Sequence, residues 1–498
     1  MNVNPITRLD YPDLDVIRVE DTYYMVSTTM HFMPGCEILQ SFDLVHWEHV
    51  TYVYETLDHT DAQQLKSGQN IYGQGMWAAS LRYHEGRFYI CFVANDTRKT
   101  YLYTSEKIDG PWKKQLIEGF YHDGSLLFDE DGRNYIVYGN DEIWITELNE
   151  DLTAPKKDGL HRLLVSDHKN PELGYEGSHI QKINGYYYIF LVHSLRDRWM
   201  RTEACFYSDS LEGEFTGGDV LCDDRGYCGQ GVAQGGIVDT PDGKWYAMLF
   251  QDSGAVGRIP ILLPVTWKDH FPFFGQNGHV PEEIEVHSTR PGYIYQPLVG
   301  SDDFCNGLLP RWQFNHDPDP RYYHLDALQG TYTITTREVC TELTQAVNTL
   351  TQRMSYPSCA AEVTVDASAL KEGDVAGLCA FQSCYAAVGI TKHHGKYEVL
   401  MLDKKEDGIL DMTEGTVVES HQMDFRLEAD FCNMKDEARC YYRVNKGDWL
   451  PIGNVHKLYF KLDHFTGCRF GLFCYAAEET GGSACFRDFK YYDVDEIS

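Results

Sequence analysis

The sequence predicts an all-β protein: a five-bladed β-propeller over residues 1–297, followed by a jelly-roll-like β-sandwich over residues 298–498. Three observations carry this. A phrase of turn plus aromatic strand recurs five times, helical patterns of useful length are missing, and the rhythm changes near residue 300. The phrases are EDTYYMVST (20–28), EGRFYICFV (85–93), DGRNYIVYG (131–139), NGYYYIFLV (184–192) and DGKWYAMLF (242–250). Each sets Gly or Asp at a tight turn and a tyrosine three residues on: Tyr24, Tyr89, Tyr135, Tyr188 and Tyr246. Asp-Gly and Asn-Gly between strand patterns mark hairpins, because the turn needs residues that tolerate positive φ. Intervals of 46 to 65 residues between the tyrosines suit four-stranded blades with unequal loops.

The innermost strand of each blade should precede its hairpin. About a dozen residues before the repeat tyrosines stand Asp13, Trp77, Asp123, Glu176 and Gln234, each leading into a strand-like run. In that register the five side chains ring one end of the propeller axis. Like charges gathered in a partly desolvated well repel one another, so three carboxylates there point to function rather than stability. Beyond the change of rhythm, SDDFCNGLLPRWQFNHDPDPRYY reads as a linker and entry strand. The short runs that follow (YTITT, AAEVTVDA, AGLCAF, AAVGITK, YEVLML, CYYRV, RFGLFCYA, ACFRDFKYY) read as the strands of a two-sheet sandwich.

Composition narrows the partners. Lys+Arg 43 against Asp+Glu 75 leaves a formal charge of −32, which repels phosphate backbones and anionic lipid and leaves neutral ligands. No apolar run approaches the ~20 residues of a membrane span. The start, MNVNPITRLDYPDLD, lacks the basic and apolar regions of a secretory signal. Fifteen scattered cysteines without a C-x-x-C pair read as buried reduced thiols. A cytoplasmic protein without nucleic-acid or membrane partners is expected; assembly into a homo-oligomer is left open.

Two carboxylic acids facing each other across a pocket are the minimum for hydrolysing a glycosidic bond: one protonates the departing oxygen, the other activates water or attacks the sugar carbon. A third carboxylate nearby raises the pKa of the first and keeps it protonated near neutral pH. Asp13, Asp123 and Glu176 supply that number, and aromatic residues such as Trp77 could form a sugar-stacking floor. The alternative is a non-catalytic carbohydrate-binding relative whose propeller is a scaffold.

YPDLDVIRVEDTYYMVSTT, MPGCEILQSFDLVHWEHV, GMWAASLRY, HDGSLLFDEDGRNYIV and YEGSHIQKINGYYYIF resemble the successive motifs of glycoside hydrolase family 43. The likeness is closest to its β-xylosidase and α-L-arabinofuranosidase members with a C-terminal sandwich. The resemblance implies Asp13 as general base, Asp123 as pKa-modulating aspartate and Glu176 as general acid of an inverting mechanism. It implies an exo-acting enzyme on pentose-containing oligosaccharides, with Arg258 in the GR…PVTW stretch contacting substrate hydroxyls. It also implies a sandwich that can lend a residue to the pocket mouth. No cofactor is required. Many members carry an axial histidine that helps hold calcium or water where this chain has Gln234, so calcium is less certain and no metal ligand is assigned. The family's W-A-P-[DE] reads W-A-A-S from Trp77, and FEWFPG reads MHFMPG over residues 30–35. Phe32 and Met33 are therefore expected as soft apolar contacts to the terminal sugar, which favours arabinofuranosyl over xylosyl units. His31 is expected either to reach a sugar hydroxyl or to pack.

Overall fold

The computed structural model describes residues 2–493; the outermost residues of the two expected ranges, 1 and 494–498, lie outside it. Five four-stranded antiparallel sheets occupy the first part of the chain. Their innermost strands are Asp15–Val19, Met76–His84, Ser125–Phe128, Glu176–Ile183 and Val232–Asp239. Each is joined by one of the five repeat phrases to the next strand of its blade, where the repeat tyrosine lies. The turns follow the chemistry of their residues: Glu85–Gly86 and Asn184–Gly185 hold positive φ at both positions, between the paired residues His84 and Arg87 and Ile183 and Tyr186.

An apolar cluster fills each of the five gaps between neighbouring blades. The ring closes between blades five and one, where Leu9, Tyr11 and Leu14 pack with Tyr246, Met248 and Leu262. Asn4 seals this seam: its amide donates to Leu262 O (2.7 Å) and accepts from Leu262 N (3.0 Å). The last blade strand is Phe271–Phe274, and Gln313–Asn315 begins the second architecture, two antiparallel sheets face to face. All fifteen cysteines are unpaired, and nine are buried.

The two architectures interleave. Phe32–Met33, from a loop of blade one, is a two-residue edge strand of a sandwich sheet, pairing with Phe314 and Asn315. Its register is supported by His316 N donating to His31 O (3.2 Å) and by the Gln313 amide donating to Pro34 O (2.7 Å). Blade five in turn sends Ala255, Val256 and Ile259 into the sandwich core.

Two buried polar links fix this junction. Arg353 pairs with Glu37 (2.9 Å), donates to Asp10 O (2.9 Å) and lies 4.1 Å from the Tyr11 ring centroid. The Asp10 carboxylate, 5% exposed, accepts from Arg258 N (2.8 Å) and from Gly467 N (2.7 Å). Gly257 and Gly467 are required beside it, since a Cβ at either position would collide with Asp10.

Removing one member of a buried pair strands the other charge, so Arg353→Ala should destabilise the protein by about 3–5 kcal/mol, read as earlier urea unfolding. Burial pushes Glu37 up, but Arg353 and His49 outweigh it and hold its carboxyl at about 2. The pair's stabilisation is therefore present above the ordinary glutamate range and is lost as pH falls toward 2, which a pH series of unfolding curves on wild type and variant would read. Asp10→Asn should lower the thermal midpoint, by a loss on the order of 1–3 kcal/mol, because its amide turns a donor toward a backbone N–H.

Candidate active site

The five blades enter the axial end through two local devices, a left-handed residue ahead of the inner strand or a bulge at its start. Asp13 (φ 50°) and Asp123 (φ 47°) stand two residues ahead of their inner strands in left-handed conformation. Gly177 (φ 67°) and Gln234 (φ 66°) lie within β-bulges at the start of theirs, and blade two bulges between Met76 and Ala79, around Trp77. A left-handed residue or a bulge breaks the alternation of the pleat and re-aims a side chain.

A chain of contacts runs from Asp13 to Glu176. Asp13 accepts from Arg258 Nη1 (2.9 Å) on one oxygen and from the Thr28 hydroxyl (2.7 Å) on the other. The Arg258 guanidinium lies 4.2 Å from the ring centroid of Phe465, a sandwich residue whose carbonyl also accepts from Arg258 Nη2 (3.4 Å). Phe465 meets Trp77 (centroids 5.7 Å), and Trp77 meets His122 (5.8 Å). His122 Nε2 stands 3.5 Å from Asp123 Oδ2 and 3.7 Å from Glu176 Oε2. Asp123 Oδ2 accepts from Gly177 N (3.0 Å), and Glu176 Oε2 accepts from the Asn140 amide (2.8 Å).

Electrostatics follow from this crowding. Burial, with the charges of Glu176 and Asp13, pushes Asp123 up to about 6 against the opposing pull of His122. Burial works against a charged His122, but Asp123, Glu176 and Asp13 outweigh it and carry the imidazole to about 9. Arg201, the first residue of the blade-four strand Arg201–Ser208, is buried, pairs with Asp252 (2.8 Å) and also feels Glu176 and Asp13. Asp15, two residues from Asp13, contrasts with it. Its carboxylate is consumed by Arg82 (2.7 Å), His179 (3.2 Å) and Leu81 N (2.8 Å), and these outweigh burial and hold it at about 2. Asp15 is thus tied up within the blades, whereas Asp13, Asp123 and Glu176 lie near enough for their charges to act together on His122.

Gln234 sits behind Glu176: its side chain packs where a Cβ on Gly177 would lie, and its N–H donates to Glu203 (2.7 Å). Calcium takes six to eight oxygens. Near Gln234 its own amide oxygen and Glu203 are oxygen donors, and the one cluster of three His, Cys, Asp or Glu donors among the described residues lies at His122, Asp123 and Glu176.

Two expectations, for Phe32 and Met33, are corrected, and of the two alternatives for His31 the structure shows packing. Phe32 and Met33 are each 1% exposed and belong to the inter-domain strand; Arg469 covers a face of Phe32 at 3.5 Å, leaving no surface for a sugar. His31 is fully buried among Phe32, Tyr72, His316 and His464, so it packs. Met30, also 1% exposed, ties this stretch to blade two, its N–H donating to Met76 O (3.0 Å). His122, Asn140, Thr28, Asp10 and Phe465 were not singled out from sequence. For His122 the signal was its place before Asp123 in HDGS; for Phe465 nothing local marks it.

A well of one general-acid candidate, one guanidinium-bound carboxylate and a third carboxyl of raised pKa suits acid–base hydrolysis of a glycosidic bond. Comparison with known proteins agrees. The model of glycosyl hydrolases family 43 matches residues 3–272, and that of the beta xylosidase C-terminal concanavalin A-like domain matches residues 301–492. A beta-xylosidase of Formosa agariphila is 26% identical over 99% of this chain and 89% of its own. A xylosidase/arabinosidase of Humicola insolens is 25% identical over 98% and 96%. The solved structure of a bifunctional GH43-CE protein of Bacteroides eggerthii superposes with a TM-score of 0.92 at 42% identity, covering 99% of this chain, which spans 64% of that longer one. With more than half its length matched and three carboxyls gathered in its propeller, the chain belongs to glycosyl hydrolases family 43.

Proposed function

We propose that the protein is an exo-acting, inverting glycosidase that releases terminal α-L-arabinofuranosyl or β-D-xylosyl units from arabinoxylan fragments and xylo-oligosaccharides. The observation that carries this is the unequal pairing of the carboxyls. Asp13 accepts one hydrogen bond on each oxygen, from Arg258 and from Thr28, which fixes its orientation for work as a base. Asn140 engages only Oε2 of Glu176, so Oε1 is the oxygen that presents a proton. Asp123, buried beside it, places a like charge next to the carboxyl that is to give up its proton.

In the proposed step Asp13 takes a proton from a water that attacks the anomeric carbon. The glycosidic C–O bond breaks with its electron pair on the leaving oxygen, which receives the proton of Glu176. No covalent intermediate forms and the configuration inverts. A separation of ~6.5–9.5 Å between the two working carboxyls is what such a water requires. Phe465, reaching from the sandwich to Arg258 and Trp77, walls one side of the well and favours a chain end over an internal unit. The names of the relatives, beta-xylosidase and xylosidase/arabinosidase, support a pentose substrate. The uncharged ligand also suits the chain's −32.

A panel of nitrophenyl pentosides tests the class: turnover of the α-L-arabinofuranoside, the β-D-xyloside or both is expected, and binding without turnover would overturn it. Asp13→Ala should abolish hydrolysis of every substrate, because water must be activated whatever departs. Glu176→Ala should lose ~10²–10⁴-fold on natural oligosaccharides and far less on nitrophenyl glycosides, whose leaving group needs little protonation. Proton NMR of the first-formed sugar should show the inverted anomer.

A further inference from the structure

His122 occupies a position that the mechanism above leaves without a task. Its Nε2 is buried, has no hydrogen-bond partner, and stands almost midway between Asp123 Oδ2 (3.5 Å) and Glu176 Oε2 (3.7 Å). Buried ring nitrogens are normally satisfied. The Trp77 ring backs the imidazole, and both carboxylate oxygens it faces already hold another donor, Gly177 N on Asp123 and the Asn140 amide on Glu176. A displacement of about 0.7 Å would bring Nε2 within hydrogen-bond distance of either oxygen.

We propose that His122 is a positioning residue for the proton-donating carboxyl: its Nε2–H rests against Asp123 while Glu176 is protonated and moves to Glu176 as that group becomes a carboxylate. The inference rests on the reading of Glu176 as the acid. As the Glu176 O–H bond breaks and its proton goes to the leaving oxygen, negative charge appears on Glu176 beside Asp123. A nearby N–H, cationic in this surrounding, meets that charge where it develops, which is where electrostatic stabilisation raises rate. When the product leaves and Glu176 regains a proton from water, the imidazole returns to Asp123. The other charges facing this pair are Asp13, bound to Arg258, and Arg201, bound to Asp252; neither cation makes a hydrogen bond to Glu176.

His122→Gln keeps a donor and removes the charge; His122→Phe removes both. Loss of a neighbouring cation favours the protonated form of Glu176, so the alkaline limb of kcat/KM should move upward in pH in both variants. Turnover of an unactivated pentose disaccharide should fall about tenfold or more, with a much smaller loss on nitrophenyl glycosides, and a larger effect for Phe than for Gln. An unmoved or lowered alkaline limb, or equal losses on both substrates, in variants that retain the wild-type thermal midpoint would overturn the proposal. Should His122→Phe fold poorly, the Gln variant alone decides by the same two readouts. Glu176→Ala run in parallel separates the failures: if it shows no leaving-group dependence the acid assignment fails, and if it does while the His122 variants do not, only the role of His122 fails.

Discussion

One buried carboxylate ties the molecule together. Asp10 accepts backbone N–H groups from Arg258 in blade five and from Gly467 in the sandwich, and its carbonyl receives Arg353. Those partners are far apart in sequence, and each stands next to something the well needs. Arg258 itself binds Asp13, and Gly467 ends the loop that carries Phe465. Charge-assisted bonds to backbone donors are strong and directional in a site closed to water. The seam of the propeller, the orientation of the guanidinium and the placement of the aromatic wall therefore share one anchor.

Around that anchor the well is a problem of like charges. Three carboxyls cannot all ionise in a desolvated space without compensation. The structure answers with unequal surroundings: a guanidinium and hydroxyl on Asp13, a backbone N–H on Asp123, an amide on Glu176, and an imidazole between the last two. Asp15 shows the opposite outcome nearby, a buried carboxylate engaged on both oxygens by Arg82, His179 and Leu81 N. Proximity in sequence says nothing of this difference; partners far along the chain decide it.

Much of the fold was legible because it repeats. Tyrosines at a fixed phase behind Gly or Asp turns disclose five hairpins, and counting back to one common phase finds Asp13, Trp77, Asp123, Glu176 and Gln234 together, since equivalent positions of a cyclic array occupy equivalent places in space. Arg258 was found through resemblance. What escaped had no periodic signal. Phe32 and Met33 look like pocket residues in an aromatic stretch, but their strand partners, Phe314 and Asn315, lie some 280 residues away in the other architecture. Phe465 reaches the well only because the sandwich folds back onto the propeller. Asn140 stands at the far end of a hairpin strand whose length sets how close its amide comes to Glu176.

The exchange of strands between the two architectures bears on how the chain can be cut or recombined. Phe32–Met33 completes a sheet that otherwise belongs to the second half, while Ala255, Val256 and Ile259 are part of that half's core. Severed near residue 300, the amino-terminal piece would show water an apolar two-residue strand with unsatisfied backbone groups, and the carboxy-terminal piece a raw sheet edge, both invitations to aggregation. Shuffling this sandwich onto another propeller as a detachable accessory would therefore fail unless the blade-one loop travelled with it.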